Sequence, residues 1–424
     1  MKLTVFQSDK GDCLLLTAAG GERVLVDGGM AASYSTHVAA ALGALAAQGK
    51  ALDLVYVSHI DQDHISGVLR LMDDLVAWRV HDFQVANGNP IHKAPKAPRP
   101  PDVKAIWNNA FHDQIGKNAG AIESMLAASA AVLSGSEDDA LQAVAQRNQD
   151  LANSIPEALQ LSRRVAAGQL GIPLNAPWDG KLAMARDGAG AIGVGGLSLF
   201  VLAPFEADLK KLRTDWNKWL SANQEVVETI RRKAQEDQEL LGNEVVRLVA
   251  RLTAEAKLLG NRKKVTAPNL ASLMLLAEEQ GKTVLLTGDG HRDDILKGLA
   301  HHGKLDAQGR LHVDVLKVQH HGSEHNIDES FCRAVTADDY VFCGNGAHEN
   351  PDLDVVEVLV KARLDVDPKP FKLWFNSRST VPGKAADKAH MKKVEDLVMQ
   401  LQAAAPAGRV KASFLEQSSF DLPV

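Results

Sequence analysis

The sequence predicts a mixed α/β fold, organised as one domain with two helical insertions. Three observations predict it. Short apolar runs bounded by Gly, Asp and Pro recur along the chain, the pattern of buried strands. Stretches with apolar residues at helical spacing alternate with them. Finally, four polar clusters each follow directly on an apolar run: VLVDGG, VYVSHIDQDH, VLLTGDG and VLKVQHHGS.

In chain order, KLTVFQ, GDCLLLTA and GERVLVDGG read as three strands within the first 30 residues. Residues 33–49 are Ala-rich with helical period. LDLVYVS, 52–58, is a continuous apolar run and reads as a buried strand. ISGVLRLMDDLVAW then reads as a helix. A Pro/Lys-rich loop follows from Asn89 to Lys104, and residues from about 113 to 168 are Ala-rich, polar and helical in character. GGLSLFVLAP, 195–204, is a strand ending in proline. From Glu206 to Leu259 runs a charged stretch with only Gly242 as an internal breaker, long enough for one helix or a helical hairpin. SLMLLAEEQGKTVLLTGDG reads as two strands joined at about Gly281. VDVLKVQHHGS and ADDYVFCGNG are further strands, PDLDVVEVLVKARL a helix, and KPFKLWFN a strand. The helical material forms insertions at about 105–190 and 205–266 of a single 1–424 domain, and no repeat unit is visible.

Composition narrows the function classes. The chain has 424 residues, is 45% hydrophobic and 24% charged, and reads as soluble and globular. A balance of 47 basic against 53 acidic residues argues against a surface that coats nucleic acid all over, though not against a local basic groove. Cys13, Cys332 and Cys343 are far apart and lack CxxC spacing, so neither a disulfide framework nor a cysteine zinc site is expected; a reducing cytoplasm fits. No secretory leader is evident, and no run of about 18 apolar residues predicts a membrane span. There is no GxGxxG after a strand, no phosphate-binding P-loop and no serine nucleophile elbow.

The polar clusters carry the chemistry. SHIDQDHISG holds His59, Asp61, Asp63 and His64 within six residues. Asp27, Asp289, His320 and His321 stand at the ends of other apolar runs. If those strands lie side by side, the clusters meet at one sheet rim. Histidine and aspartate together are the ligand types of a hydrolytic centre with one or two metal ions. Each cluster alone has a plain structural alternative as a turn or cap.

HxDxDH, with DGG upstream and LLTGD and HHGS downstream, resembles the metallo-β-lactamase fold, and more narrowly the hydrolase domain of competence DNA-uptake proteins. The resemblance covers 1 to about 80, 195–204 and 269 to about 350, and not the insertions. It implies an αββα sandwich of two mixed sheets with outer helices, and a metal-dependent hydrolase using a metal-bound hydroxide. It implies zinc or manganese, one ion or two: His59 and Asp61 on the first, Asp63, His64 and His321 on the second (His320 as the alternative), with Asp289 bridging. Asp27 would sit beneath the site and orient the HxDxDH loop. Asp61 departs from the family, which carries histidine there, and Asn269 stands roughly where the family has a ligand histidine. A single ion held by Asp63, His64, Asp289 and His321 is the alternative. Asp63 and His348 are the residues expected to handle protons.

A phosphodiester is the expected substrate, with nucleic acid or a nucleotide as candidates. The alternatives are a lactone, another ester or an amide, or a non-catalytic interaction subunit with a structural metal. Lys93, Lys96, Arg99 and Lys104 are expected near the mouth, where they would guide a phosphate backbone or simply be solvated. Asn109 and His112 are candidate substrate contacts, with a helix start as the plainer reading. His301 and His302 read as surface. The amphipathic face through Leu209, Leu212, Trp216, Trp219 and Leu220 suits packing on the body, on a second copy or on another protein.

Overall fold

In a computed structural model, the chain is described over residues 1–89, 91, 93–109, 157, 160–207, 209–210, 214 and 272–424. Most of both expected insertions, together with Asn269 and His112, lies outside the described residues.

The αββα sandwich is observed. One sheet has six strands in the order β14-β1-β2-β3-β4-β5, the other eight in the order β13-β12-β11-β10-β9-β8-β7-β6. The strands of the first are β1 (Lys2–Phe6), β2 (Leu14–Thr17), β3 (Arg23–Val26), β4 (Leu54–Tyr56), β5 (Ile106–Trp107) and β14 (Ser419–Pro423). Those of the second are β6 (Ile192–Val194), β7 (Leu197–Ala203), β8 (Met274–Glu279), β9 (Lys282–Leu286), β10 (Leu311–Lys317), β11 (Val335–Phe342), β12 (Phe371–Phe375) and β13 (Val410–Phe414). Both sheets are mixed: β3-β4-β5 and β9 through β13 run parallel, and the remaining neighbours antiparallel.

Strand alternation builds the layers. On β8, Leu275 and Ala277 face the first sheet beside Leu3, Leu16 and Val24, while Met274 and Leu276 join Ile295, Leu299 and Phe331 on the outer side. This period of two is what buries a strand on both faces. Crossover helices cover the outside: α1 (Ala39–Ala47), α2 (Gln62–Ala86), α3 (Arg292–His301), α4 (Glu329–Ala334), α5 (Leu353–Val366) and α6 (Ala385–Ala404). Ile65, Val68, Leu69, Met72 and Leu75 repeat at helical spacing on α2 and are buried. Asn87 and Gly88, the latter at φ 78°, end it. Among the described residues, no helix is long and apolar enough to cross a membrane.

Parallel pairing decides where the polar clusters go. The ends of β3, β4 and β5 lie on one edge, and so does the end of β1, which is antiparallel to β2 as β2 is to β3. The ends of β9, β10 and β11 share an edge of the other sheet. Leu273 N donates to Ser58 O at 2.7 Å, tying the two edges together.

Ile106–Trp107, at the front of the first expected insertion, form an edge strand rather than helix, because they pair in parallel with Val55–Tyr56. The basic loop also differs from expectation. Lys104 bonds Asp53 at 2.6 Å, at the start of β4, and Arg99 makes a two-pronged bond to Asp82 near the far end of α2. Both anchors lie away from the strand ends that carry the clusters, so these two cations are committed elsewhere. His301 and His302 are half-buried rather than surface residues, reaching Arg186 O and Val201 O.

Candidate metal centre

Two glycines allow the first half of the site to form. A Cβ on Gly28 would stand 2.2 Å from Val68 N, and one on Gly67 would stand 2.0 Å from Gly28 O. Only glycine permits this crossing of the β3 end over the start of α2. Gly28 N then bonds His64 O at 2.8 Å, and Gly67 N bonds Gly29 O at 2.9 Å. Asp27, at φ 55°, turns its carboxylate under the loop, where it accepts from Ser58 N and Ser58 Oγ, each at 2.7 Å.

The second half comes from the other sheet. Asp289 follows β9. His320 and His321 follow β10, both in left-handed conformation at φ 47° and 56°. His320 N bonds Gly288 O at 3.0 Å, and Thr287 Oγ1 donates to Lys317 O at 2.7 Å, joining these two strand ends.

Around Asp289 the four imidazoles share one orientation. Each has its Nδ1 occupied: His59 by Ser58 Oγ at 3.2 Å, His64 by Asp27 at 3.0 Å, His320 by Asn326 Oδ1 at 2.6 Å and His321 by Cys343 O at 2.7 Å. Each presents Nε2 to Asp289, at 3.6, 3.4, 3.4 and 3.5 Å in the same order. Asp61 Oδ2 stands 3.6 Å from His59 Nε2, and Asp63 Oδ2 3.5 Å from His321 Nε2. Both histidines of the HHGS turn therefore reach Asp289, each at its Oδ2.

These separations exceed a normal hydrogen bond. Nε2 of His59, His64 and His321 and Oδ1 of Asp61 and Asp289 are buried without a hydrogen-bond partner. Leaving such groups unpaired costs about 1–3 kcal/mol each. Donors about 2.1 Å from a shared tetrahedral ion stand about 3.4 Å apart, close to the spacings seen. The residues present thus fit a divalent metal ion. Imidazole and carboxylate together are donor types of divalent-metal sites.

Electrostatics point the same way. Burial pushes the Asp289 carboxyl up, but His321, His320, His64 and His59 outweigh it and hold it well below the usual range. Burial pulls His64 and His321 down, yet the carboxylates around them, Asp289 first, raise both well above the ordinary histidine value. His320, facing only one carboxylate and opposed by His321, is left lowered by its burial.

His348 lies in the turn Ala347–Glu349 and is exposed, unlike the cluster. Asn109 is buried and spent on Ala183, donating to its carbonyl at 2.7 Å and accepting from its N–H at 2.8 Å. Four contributors were not singled out from sequence: Asp12, Ser58, Lys317 and Asn326. Lys317 carried a usable signal, since a lysine between Leu316 and Val318 in a buried strand needs a carboxylate partner.

Residues 9–116 match the family model described as metallo-beta-lactamase superfamily. That span contains Asp12, Asp27 and the HxDxDH loop, but not Asp289, His320 or His321. No curated protein matches the chain at a significant level.

Proposed function

We propose that this protein is a metal-dependent phosphodiesterase acting on nucleic acid or a nucleotide. Metal-dependent hydrolysis is the activity that the superfamily match and the buried histidine–aspartate cluster support together. The observation that carries it is the set of buried, unpartnered Nε2 and Oδ atoms converging on Asp289. The phosphodiester is the finer step. It rests on the carboxylate-rich donor set, on the likeness of HxDxDH, LLTGD and HHGS to the hydrolase domain of competence DNA-uptake proteins, and on Lys10. The Lys10 ammonium adds positive potential at Asp63, which suits an anionic substrate.

In this reading His59, Asp61 and His320 would hold one ion and Asp63, His64 and His321 the other, with Asp289 available to both. A bound divalent ion supplies a Lewis acid and lowers the pKa of water from about 16 to about 7. The chain supplies the rest. Asp27, Cys343 O and Asn326 fix Nδ1 of His64, His321 and His320, so their Nε2 lone pairs point inward. Asp63, its Oδ2 3.5 Å from His321 Nε2, is the carboxylate that would accept a proton there. His348, exposed beyond the β11 end, donates to the departing oxygen.

The test is hydrolysis of bis-p-nitrophenyl phosphate by protein stripped and reloaded with zinc, manganese or magnesium, beside a lactone and a thioester. Diester cleavage that depends on added metal supports the proposal. Cleavage of the lactone or thioester alone overturns it.

A further inference from the structure

A buried ion pair stands directly behind one half of this centre. Asp12, in the turn between β1 and β2, and Lys317, at the end of β10, are each about 1% exposed and are bonded to one another across the sandwich. Asp12 Oδ1 lies 3.3 Å from Nδ1 of His321, and Asp12 Oδ2 lies 3.8 Å from Nδ1 of His64. Lys317 Nζ donates to Gly288 O at 3.0 Å and stands 4.0 Å from Asp289 Oδ1. The turn carrying Asp12 is pressed onto the HxDxDH loop: a Cβ on Gly11 would fall 1.7 Å from Asp63 O.

By proximity alone, Asp12 groups with His64, Asp289 and His321 as a fourth metal donor. The nitrogens argue otherwise. Asp12 approaches the Nδ1 atoms of both rings, whereas Asp289 and Asp63 approach the Nε2 atoms. An ion cannot use both nitrogens of a ring from one position, and a lysine ammonium already sits on Asp12.

We infer that Asp12 and Lys317 form a positioning pair that tunes the ion site of His64 and His321 more strongly than the other. This rests on the two-ion reading above. Asp12 places negative charge behind His64 and His321, favouring the proton on Nδ1 and the lone pair on Nε2. Lys317 neutralises Asp12, so its charge does not overload a site already holding Asp63 and Asp289, and it grips the carbonyl just before Asp289. The shortest contacts of His59 and His320 are with Asp61, Asp289, Ser58 and Asn326 instead.

The test separates positioning from mere stabilisation. Removing one member leaves a buried charge unpaired and destabilises the fold, but removing both together is often neutral. An Asp12→Asn/Lys317→Met double variant is compared with the unaltered protein by chelator competition with zinc and manganese, and by melting of the metal-free forms. The expected result is near-unchanged melting, one ion held at ordinary affinity and the other about 10–100-fold weaker. Two ions held with unaltered affinity in the double variant would overturn the inference and leave a structural pair. Failure of the unaltered protein to bind any ion would instead overturn the two-ion reading, and this inference with it. If the double variant does not fold, the milder Asp12→Asn/Lys317→Gln pair of substitutions is read instead by the imidazole nitrogen shifts of His64 and His321 in zinc-loaded protein. Unchanged shifts would count against positioning, and altered shifts for it.

Discussion

Asp27 Oδ2 lies 3.0 Å from Nδ1 of His64, although the two residues sit at the ends of different stretches of chain, one after β3 and the other in the first turn of α2. A carboxylate can only accept, so the imidazole carries its proton there and turns Nε2 towards Asp289. Asp27→Asn keeps the shape but can present an amide N–H to the ring. Metal affinity should fall about 10–100-fold at the site containing His64. Chelator competition measures this, and unaltered affinity would show that Asp27 only holds the Ser58 loop.

The two histidines of the HHGS turn should be separable. In the proposed two-ion reading, His320→Ala removes a donor from the group with His59 and Asp61, and His321→Ala one from the group with Asp63 and His64. Each variant should lose one ion and keep the other. Loss of both ions in both variants would mean that the donors act as a single site.

Metal uptake should release protons. Nearby carboxylates raise His64 and His321 well above the ordinary histidine value, so both rings favour their protonated forms in metal-free protein. An entering ion must displace those protons, so apparent affinity rises with pH and falls on acidification. The sign for folding runs alongside. Raised histidines stabilise the metal-free fold fully below the unfolded value, and that contribution is lost as pH rises through the folded one. The lowered Asp289 contributes above the unfolded carboxylate value and is lost in acid. Titration calorimetry in buffers of different ionisation enthalpy reads the proton count directly. No dependence on buffer would contradict the prediction.

The core between the sheets should behave as one packed layer. Leu275 pairs with Leu286 across β8 and β9, and both are buried among residues of the two sheets. Leu275→Ala should cost about 2–5 kcal/mol in chemical denaturation. A much smaller loss would mean the layer can close over the gap.

The strands and their terminal clusters were legible because each cluster follows its own apolar run and parallel strands deliver their ends to one edge. HIDQDH needed no partner to be noticed. Asp12 and Lys317 were hard to see because each is a single charge whose partner lies in the other sheet. β13, β14 and α6 were likewise not picked out: β14 pairs with β1 from the other end of the chain, and α6 is rich in charged residues. Arg99 and Lys104 of the basic loop were misplaced because composition does not say which edge the loop crosses. That depends on Lys104 entering β5 beside Asp53 at the start of β4.

The central claim is that Asp289 joins two groups of donors around bound metal. Elemental mass spectrometry tests it most directly, on protein purified without a metal-affinity tag and then equilibrated with zinc or manganese, beside an Asp289→Ala variant. The account predicts about two ions per chain in the unaltered protein and a loss of most of that metal in the variant. No metal in the unaltered protein after equilibration, or equal metal in both, would contradict it.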